Sequence, residues 1–280
     1  MSTIGITTSK ILRIGAAGHE ETKDLLVREE PLEIRVGYGA ATQRREFPLA
    51  VTMRTPGADE ELARGFLLSE GIVSHPKDIL SAKYCLQAKQ PENTLKVELV
   101  NDLPFEPDKF KRNFYASSSC GVCGKAALEA ITCELPKHKS PSFKIKKATI
   151  LGLSDQVKEH QSTFKYTGGL HAAALFDQNG ALLIVREDIG RHNALDKLIG
   201  VGSMQQMDWS DKTLWLSGRL GFEMVQKPAV IGLRTIVGLG APSSLAIDLA
   251  KEAGLTLVGF LKKDSFNIYS GIENVNLTEY

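Results

Sequence analysis

The sequence predicts an α/β protein in two parts, a small α+β domain over residues 25–115 and a layered α/β/α domain over residues 116–280. Three observations support this division. In the first part, short stretches of alternating apolar and polar residues surround one amphipathic helical pattern. In the second part, apolar runs alternate with helical patterns, which is typical of a sheet covered by helices on both faces. Residues 1–24 show neither pattern and are expected to form a weakly ordered lead-in.

The first part should contain three strands and one helix. Alternation predicts a strand over residues 32–36, an antiparallel mate over residues 47–53 and a later strand over residues 95–99. Acidic residues 59–61 favour the N-terminus of a helix, and Gly71 stands where a left-handed C-terminal cap belongs. The apolar stripe of this helix consists of Leu62, Ala63, Phe66 and Leu67.

The second part should open with a β-hairpin. Apolar runs at residues 170–176 and 181–185 flank the Asn-Gly pair at 179–180, which is a strong signal for a tight turn. A helix is predicted from Arg191 to Leu198, closed by Gly200. The remaining elements follow in the order strand, helix, strand, helix and strand, at residues 213–216, 222–226, up to 236, 243–254 and 255–260.

The composition excludes several classes of protein. The formal net charge is +1 over 280 residues, so no global basic field favours nucleic acid or an anionic membrane as partner. No apolar run approaches the ~20 residues that cross a bilayer, and the N-terminus lacks the apolar core of a secretory signal. The cysteines are too few for a disulfide scaffold, so we expect a cytoplasmic protein with functional thiols. They are Cys85, Cys120, Cys123 and Cys133.

The pair Cys120 and Cys123, in the sequence Cys-Gly-Val-Cys, is the strongest candidate for chemistry. A helix-forming run begins within one turn of the pair, and Lys125 adds a positive charge. Both features stabilise a thiolate, which can attack, be attacked or carry another sulfur atom. Structural zinc is a second interpretation, although only Cys133 and His138 stand nearby to complete four ligands. A thioredoxin-like dithiol is a third, but its motif should follow a strand rather than a serine run.

A second polar cluster spans residues 186–197 and joins a predicted strand to a predicted helix. In α/β proteins, ligands bind at such junctions beyond the carboxyl ends of strands. Arg191, His192 and Asn193 are therefore candidates to hold an anion or a polar ring, and Asp188 is a further candidate for the site. Capping of the helix by the acidic residues of this cluster is the simpler alternative.

Three further segments carry weaker binding signals. The paired glycines Gly168 and Gly169, before His171, allow a ligand to approach the backbone closely. A loop with two lysines after a buried strand suits phosphate, and its phenylalanine can stack or gate. The candidates at predicted strand ends are Ser217, Arg219, Phe260, Leu261, Lys262, Lys263, Asp264 and Ser265.

Taken in order, these segments resemble the FdhD family (FdhD/NarQ), the sulfurtransferase-like accessory proteins of formate dehydrogenase. The matching stretches lie between residues 30 and 270 and occur in both predicted parts, which is more specific than a Cys-x-x-Cys pair alone. They are MRTPGADEELARGFLLSEGI from Met53, SSCGVCGK from Ser118, TGGLHAAAL from Thr167, REDIGRHNALDKLIG from Arg186, SGR from Ser217 and APSSLAIDLA from Ala241.

The resemblance implies a cytidine-deaminase-like α/β/α three-layer sandwich at the C-terminus, without the catalytic zinc set of that fold, and a homodimer. It implies sulfurtransferase activity, in which persulfide sulfur from a cysteine desulfurase reaches the Mo-bis(molybdopterin guanine dinucleotide) cofactor, or its tungsten equivalent. The loaded cofactor is then expected to enter the catalytic subunit of formate dehydrogenase. GDP-like nucleotides are expected to be able to occupy the same site.

The resemblance also assigns residues. The persulfide-bearing cysteine of the family corresponds to Cys120, whereas Cys123 is expected to resolve the persulfide, protect it or support the loop. The cofactor-binding loop of the family corresponds to residues Phe260–Ser265. Members often carry an arginine near the start of that loop, and a guanidinium can make a bidentate contact with a phosphate. This chain has Leu261 and two lysines there, so we expect the point charges of the lysines to replace that contact.

Two alternatives from other classes stay open at this stage. A cofactor-binding chaperone would hold the same cofactor without any sulfur chemistry. A zinc-dependent hydrolase of the deaminase type would hold one zinc ion per chain. No resident metal, nucleic acid or membrane is expected for the sulfur carrier.

Overall fold

The computed structural model describes residues 5–110, 143–161 and 163–278. The helices are α1 (Asp59–Ser69), α2 (Lys147–His160), α3 (Phe164–Thr167), α4 (Arg191–Met204), α5 (Phe222–Val230) and α6 (Ser244–Glu252). In the N-terminal segment lie β1 (Ile6–Gly15) and β2 (Gly18–Val27), and the strands of the first part are β3 (Glu30–Tyr38), β4 (Arg45–Arg54), β5 (Ile79–Tyr84) and β6 (Thr94–Leu99). Those of the second part are β7 (Ile145–Lys146), β8 (His171–Phe176), β9 (Leu182–Asp188), β10 (Thr213–Leu216), β11 (Thr235–Gly238), β12 (Thr256–Gly259), β13 (Asn267–Ser270) and β14 (Val275–Asn276).

A four-stranded sheet in the order β4-β3-β6-β5 forms the centre of the first part. β3 pairs antiparallel with β4 and parallel with β6, and β5 closes the edge antiparallel to β6. Leu32, Ile34 and Val36 are fully buried, which confirms the alternation that predicted β3. Helix α1 packs its apolar stripe into the same core, and Gly71 at its end has a φ of 68°, as a left-handed cap requires.

A six-stranded sheet in the order β13-β12-β11-β10-β8-β9 forms the centre of the second part. β10, β11 and β12 run parallel, whereas β8, β9 and β13 are antiparallel to their neighbours. Alternate side chains of β8 enter two different hydrophobic clusters: Ala172, Ala174 and Phe176 face α2, and Ala173 and Leu175 face α4. The fold is therefore mixed α/β, with helices on both sides of this sheet.

Helices α1 and α4 cross at unusually short distance and join the two parts. A Cβ atom added at Gly65 would lie 1.8 Å from the carbonyl oxygen of Asp196, and one added at Gly200 would lie 1.8 Å from that of Glu61. The prediction that Gly200 closes α4 was wrong, because the helix continues to Met204. A glycine inside this helix is instead required by contact with the backbone of α1.

The expectation of a weakly ordered lead-in over residues 1–24 was wrong for the described part of that segment. β1 and β2 form an antiparallel hairpin, paired residue by residue from Ile6 with Val27 to Gly15 with Gly18. Most of its side chains are exposed, so no alternation between buried and polar residues was available to predict it. Among the described helices, none is long and apolar enough to cross a membrane.

Candidate functional site

A cavity of about 710 Å³ opens at one edge of the six-stranded sheet. Ser217 and Leu239 line it and directly follow the parallel strands β10 and β11, and Leu261 lies two residues after the end of β12. His171 begins β8, which runs antiparallel to β10, and therefore lies at the same edge. Ligands of α/β sheets bind at this kind of edge, and the volume lies within the ~300–1,000 Å³ of small-molecule sites.

Several residues predicted from separate sequence segments meet in this cavity. Its lining includes seven of the candidates: Gly168, Gly169, His171, Ser217, Leu261, Lys262 and Lys263. Gly168 has a φ of 64° and ends α3, and Gly169 packs so closely on Val27 that a Cβ would lie 3.1 Å from its Cγ2. The glycines thus turn the chain from α3 into β8 and leave backbone at the cavity surface.

The opposite wall is formed by α2, which the sequence analysis did not predict. Leu151, Ser154, Asp155 and Lys158 line the cavity and share one face of the helix, as residues three and four apart do. Trp215 of β10 also lines it and donates its indole N–H to Ser154 Oγ at 3.1 Å. The buried residues Ile150, Leu153 and Val157 mark the other face of α2, and their spacing was a usable signal for this helix.

The loop after β12 combines a buried anchor with two exposed charges. Leu261 is buried, and its N–H donates to Gly238 O at 3.1 Å. The N–H of Lys262 donates to Ser265 O at 2.8 Å, which closes a tight turn and leaves both lysine side chains exposed. Phe260 has a φ of 51° and is 42% exposed, and neither it nor Asp264 or Ser265 lines the cavity.

His171 and Ser217 form the polar floor of the cavity. Ser217 Oγ accepts the Ala172 N–H at 2.9 Å and lies 3.2 Å from His171 Nδ1. Burial lowers the pKa of His171 below its ordinary value of 6.5, and the charges of Arg191 and His192 lower it further, against a smaller opposing effect of Asp188. The imidazole is therefore neutral at pH 7.

Arg191 and His192 lie beside this floor at the start of α4. The side chain of Arg191 passes Gly218, where a Cβ would lie 3.5 Å from Arg191 Cδ, and its buried Nε has no hydrogen-bond partner among the described residues. His192 Nε2 lies 2.8 Å from Glu223 Oε2. Neither residue lines the cavity directly, and Arg219 is exposed outside it.

Asp188 and Asn193 face away from the cavity into a buried polar network. Asp188 is fully buried, accepts the Thr55 and Gly190 N–H groups at 3.1 and 2.9 Å, and pairs with Lys197 Nζ at 2.7 Å. Asn193 Nδ2 donates to Asp188 Oδ1 at 3.1 Å and to Met53 O at 2.7 Å. These two residues therefore connect the end of β4 to α4. Their role in this cluster is structural rather than ligand-binding.

The predicted sulfur chemistry lies outside the described residues. Cys120, Cys123 and Cys133 all belong to the segment 111–142. Cys85 is a free thiol in the described part of the chain, and burial raises its pKa, so its reactive thiolate is scarce at neutral pH. The described residues contain no group of three or more His, Cys, Asp or Glu side chains that could hold a metal ion.

The cavity suits a planar ring that carries phosphate. Its walls include the apolar side chains of Leu151, Leu170, Trp215 and Leu239, and apolar walls suit a heterocyclic ring. Lys262 and Lys263 stand at the solvent side, where point charges can meet phosphate without being desolvated. The net charge of the whole chain is only +1, but two positive charges lie together at this cavity, where the phosphate of such a ligand would bind.

The comparisons with known proteins agree across nearly the whole chain. The model of the FdhD/NarQ family matches residues 27–276. The chain is 45% identical to the sulfur carrier protein FdhD of Streptomyces coelicolor, in a match that covers 96% of this chain and 95% of that protein. It is 46% identical to the sulfur carrier protein FdhD of Mycolicibacterium paratuberculosis, with coverages of 90% and 92%.

A more distant likeness exists to a solved structure. It is that of a protein from Desulfotalea psychrophila described as a formate dehydrogenase accessory protein, with a TM-score of 0.73 and 24% sequence identity. The match covers 97% of this chain and 99% of that chain. At this identity the likeness shows the fold alone.

Proposed function

Since the chain belongs to the FdhD/NarQ family, as its ordered motifs predicted, we propose that it is a sulfur carrier that serves formate dehydrogenase. The observation that carries this proposal is the cavity at the sheet edge. Three motifs from positions 168–171, 217 and 261–263 line one space with apolar walls and exposed lysines. A protein that transfers sulfur to a large nucleotide-bearing cofactor needs a binding site for that cofactor in addition to a reactive sulfur.

Cys120 is the sulfur-carrying residue in this proposal. Its thiolate attacks the outer sulfur of a persulfide on a cysteine desulfurase, a new S–S bond forms, and the desulfurase cysteine leaves as thiolate. Cys120 then carries one extra sulfur atom as a persulfide, and Cys123 supports the segment. The helix-forming run that the sequence predicts after Cys123, together with Lys125, should favour the anionic form of sulfur before and after this exchange.

The recipient of the sulfur is the Mo-bis(molybdopterin guanine dinucleotide) cofactor, which is substrate rather than resident group. One guanine ring enters the cavity, and the phosphates meet Lys262 and Lys263. The proposal includes a cytidine-deaminase-like sandwich, supported by helices on both faces of the six-stranded sheet, and a homodimer that works in the cytoplasm. The loaded cofactor passes to the catalytic subunit of formate dehydrogenase.

Sulfur loading tests the carrier directly. The purified protein is incubated with a cysteine desulfurase and cysteine and is then digested for mass spectrometry without reductant. We expect the mass of one sulfur atom to be added to the peptide that contains Cys120. Cys85→Ala provides the matched control and should load normally, because the Cys85 thiol has a raised pKa. Loading on Cys85 or no loading at all would contradict the proposal.

The proposed contact of the phosphates with Lys262 and Lys263 predicts that the affinity for GDP depends on the salt concentration. Changing Lys262 and Lys263 together to alanine should weaken GDP binding by about tenfold, since each exposed charge pair contributes up to ~1 kcal/mol. The remaining affinity should depend less on salt, because fewer screened charges take part. Calorimetric titrations at low and high salt measure both effects. The same change at Lys77 and Lys83, exposed lysines of the first part, is the control, and equal results for the two double variants would contradict the placement.

A further inference from the structure

We propose that His171, held by Ser217 in the tautomer that carries its proton on Nε2, is the hydrogen-bond donor that makes the cavity select guanine over adenine. The inference rests on the proposed function, because it assumes that a nucleotide base of the cofactor enters this cavity. It adds the residue that discriminates between bases and the residue that positions it. Guanine carries a carbonyl oxygen where adenine carries an amino group, so one hydrogen-bond donor can distinguish the two.

The hydrogen bonds around Ser217 favour this tautomer. Its Oγ already accepts the N–H of Ala172 at 2.9 Å. A serine hydroxyl has a single proton, and His171 Nδ1, at 3.2 Å, is the hydrogen-bond partner that the described residues offer for it. Donation from Ser217 makes Nδ1 the acceptor. A neutral imidazole with an acceptor at Nδ1 carries its proton on Nε2.

The surroundings keep this imidazole neutral. His171 is partly buried, and the neighbouring groups whose charges act on its pKa are Arg191 and His192 on α4 and Asp188 on β9. The net result is a lowered pKa, so protonation of Nδ1 does not compete with the bond from Ser217 at pH 7. His171 then offers the cavity a donor and no acceptor.

The free donor defines the ligand chemistry. Among the described residues no group accepts a hydrogen bond from His171 Nε2, although His171 lines the cavity. The 6-oxo group of guanine satisfies this donor, whereas the 6-amino group of adenine brings a second donor to it. A buried donor left without an acceptor weakens binding by a factor of about 10 to 100. We expect a preference for GDP over ADP of that size.

Titration of the full-length protein with GDP and with ADP tests the inference. His171→Phe keeps a flat ring but has no donor, so the GDP preference should fall to about unity through weaker GDP binding. His171→Gln keeps an N–H donor and should retain part of the preference. His19→Phe, at an exposed histidine of the hairpin, is the matched control and should leave both affinities unchanged.

Ser217 is a positioning residue, and its test separates that role from a merely structural one. Ser217→Ala frees Nδ1, so the imidazole can carry its proton on either nitrogen and can accept from the amino group of adenine. ADP binding should therefore become tighter while GDP binding becomes weaker. Ser217→Thr keeps the hydroxyl and should restore the wild-type ratio. Equal weakening of both nucleotides in Ser217→Ala would show a structural role and overturn the assignment.

The outcomes also show whether the inference about His171 fails alone or together with the proposed function. If wild-type protein prefers GDP and His171→Phe keeps the same preference, the inference falls and the carrier stands. If wild-type protein binds neither nucleotide, both the inference and the placement of the base in the cavity fall. Sulfur loading of Cys120, measured separately, then still decides whether the chain carries sulfur.

Discussion

Replacement of Cys120 by alanine is expected to reduce formate dehydrogenase activity in the same cell to the level of a strain without the carrier. The change removes the atom that accepts sulfur, and neither a buried cysteine nor a hydroxyl can replace a thiolate in this exchange. We expect the variant to fold, because Cys120→Ala replaces a small side chain by a smaller one and introduces neither charge nor bulk. Enzyme activity and the content of sulfur-loaded cofactor are measured in cells that express each variant.

The Cys120→Ala variant also separates the carrier from the cofactor-binding chaperone. A chaperone would mature formate dehydrogenase without the thiol, so normal activity of this variant would favour it. The carrier instead predicts a variant that still binds GDP and still folds but delivers no sulfur. Cys85→Ala, with its thiol of raised pKa, should behave as wild type in all three measurements. A metal analysis that finds one tightly bound zinc ion per chain would favour the hydrolase of the deaminase type over both.

Part of the cavity lining was predictable from sequence because strand ends are local features. Gly168, His171, Ser217 and Lys262 each stand next to an apolar run, and the ends of neighbouring strands in one sheet meet at a common edge. The order of the strands in the sheet was the only further information needed to predict that these residues lie close together. The wall formed by α2 was missed, although the spacing of its buried residues marks a helix, because polar residues outnumber apolar ones along it.

The roles of Asp188 and Gly200 depend on contacts distant in sequence. Asp188 ends β9 at the same sheet edge as His171, yet the N–H of Thr55 and the charge of Lys197 hold its carboxylate in the interior. Gly200 lies inside α4 because the carbonyl of Glu61 occupies the place of a side chain. Both positions are decided by the packing of the first part on the second, which no local pattern contains.

Asp188→Ala is expected to destabilise the protein by ~3–5 kcal/mol, which is the usual cost of leaving one charge of a buried pair uncompensated. Lys197 is 3% exposed at its side chain and would keep only its bond to Thr55 O, at 2.8 Å. The N–H groups of Thr55 and Gly190 would lose their acceptor at the same time. Urea unfolding of the purified variants measures the change in free energy of unfolding. Asp248→Ala, on the exposed face of α6, should change it by less than ~0.5 kcal/mol.

A double-mutant cycle distinguishes this structural role from a role in binding. Adding Lys197→Met to an Asp188→Asn variant removes both charges and should recover part of the lost stability, because no unpaired ion stays buried. If Asp188 instead contacted the ligand, Asp188→Ala would unfold at the wild-type urea concentration and would lose GDP binding. The carboxylate that the sequence placed among the binding candidates would then belong to the site, and the network that joins β4 to α4 would hold without it.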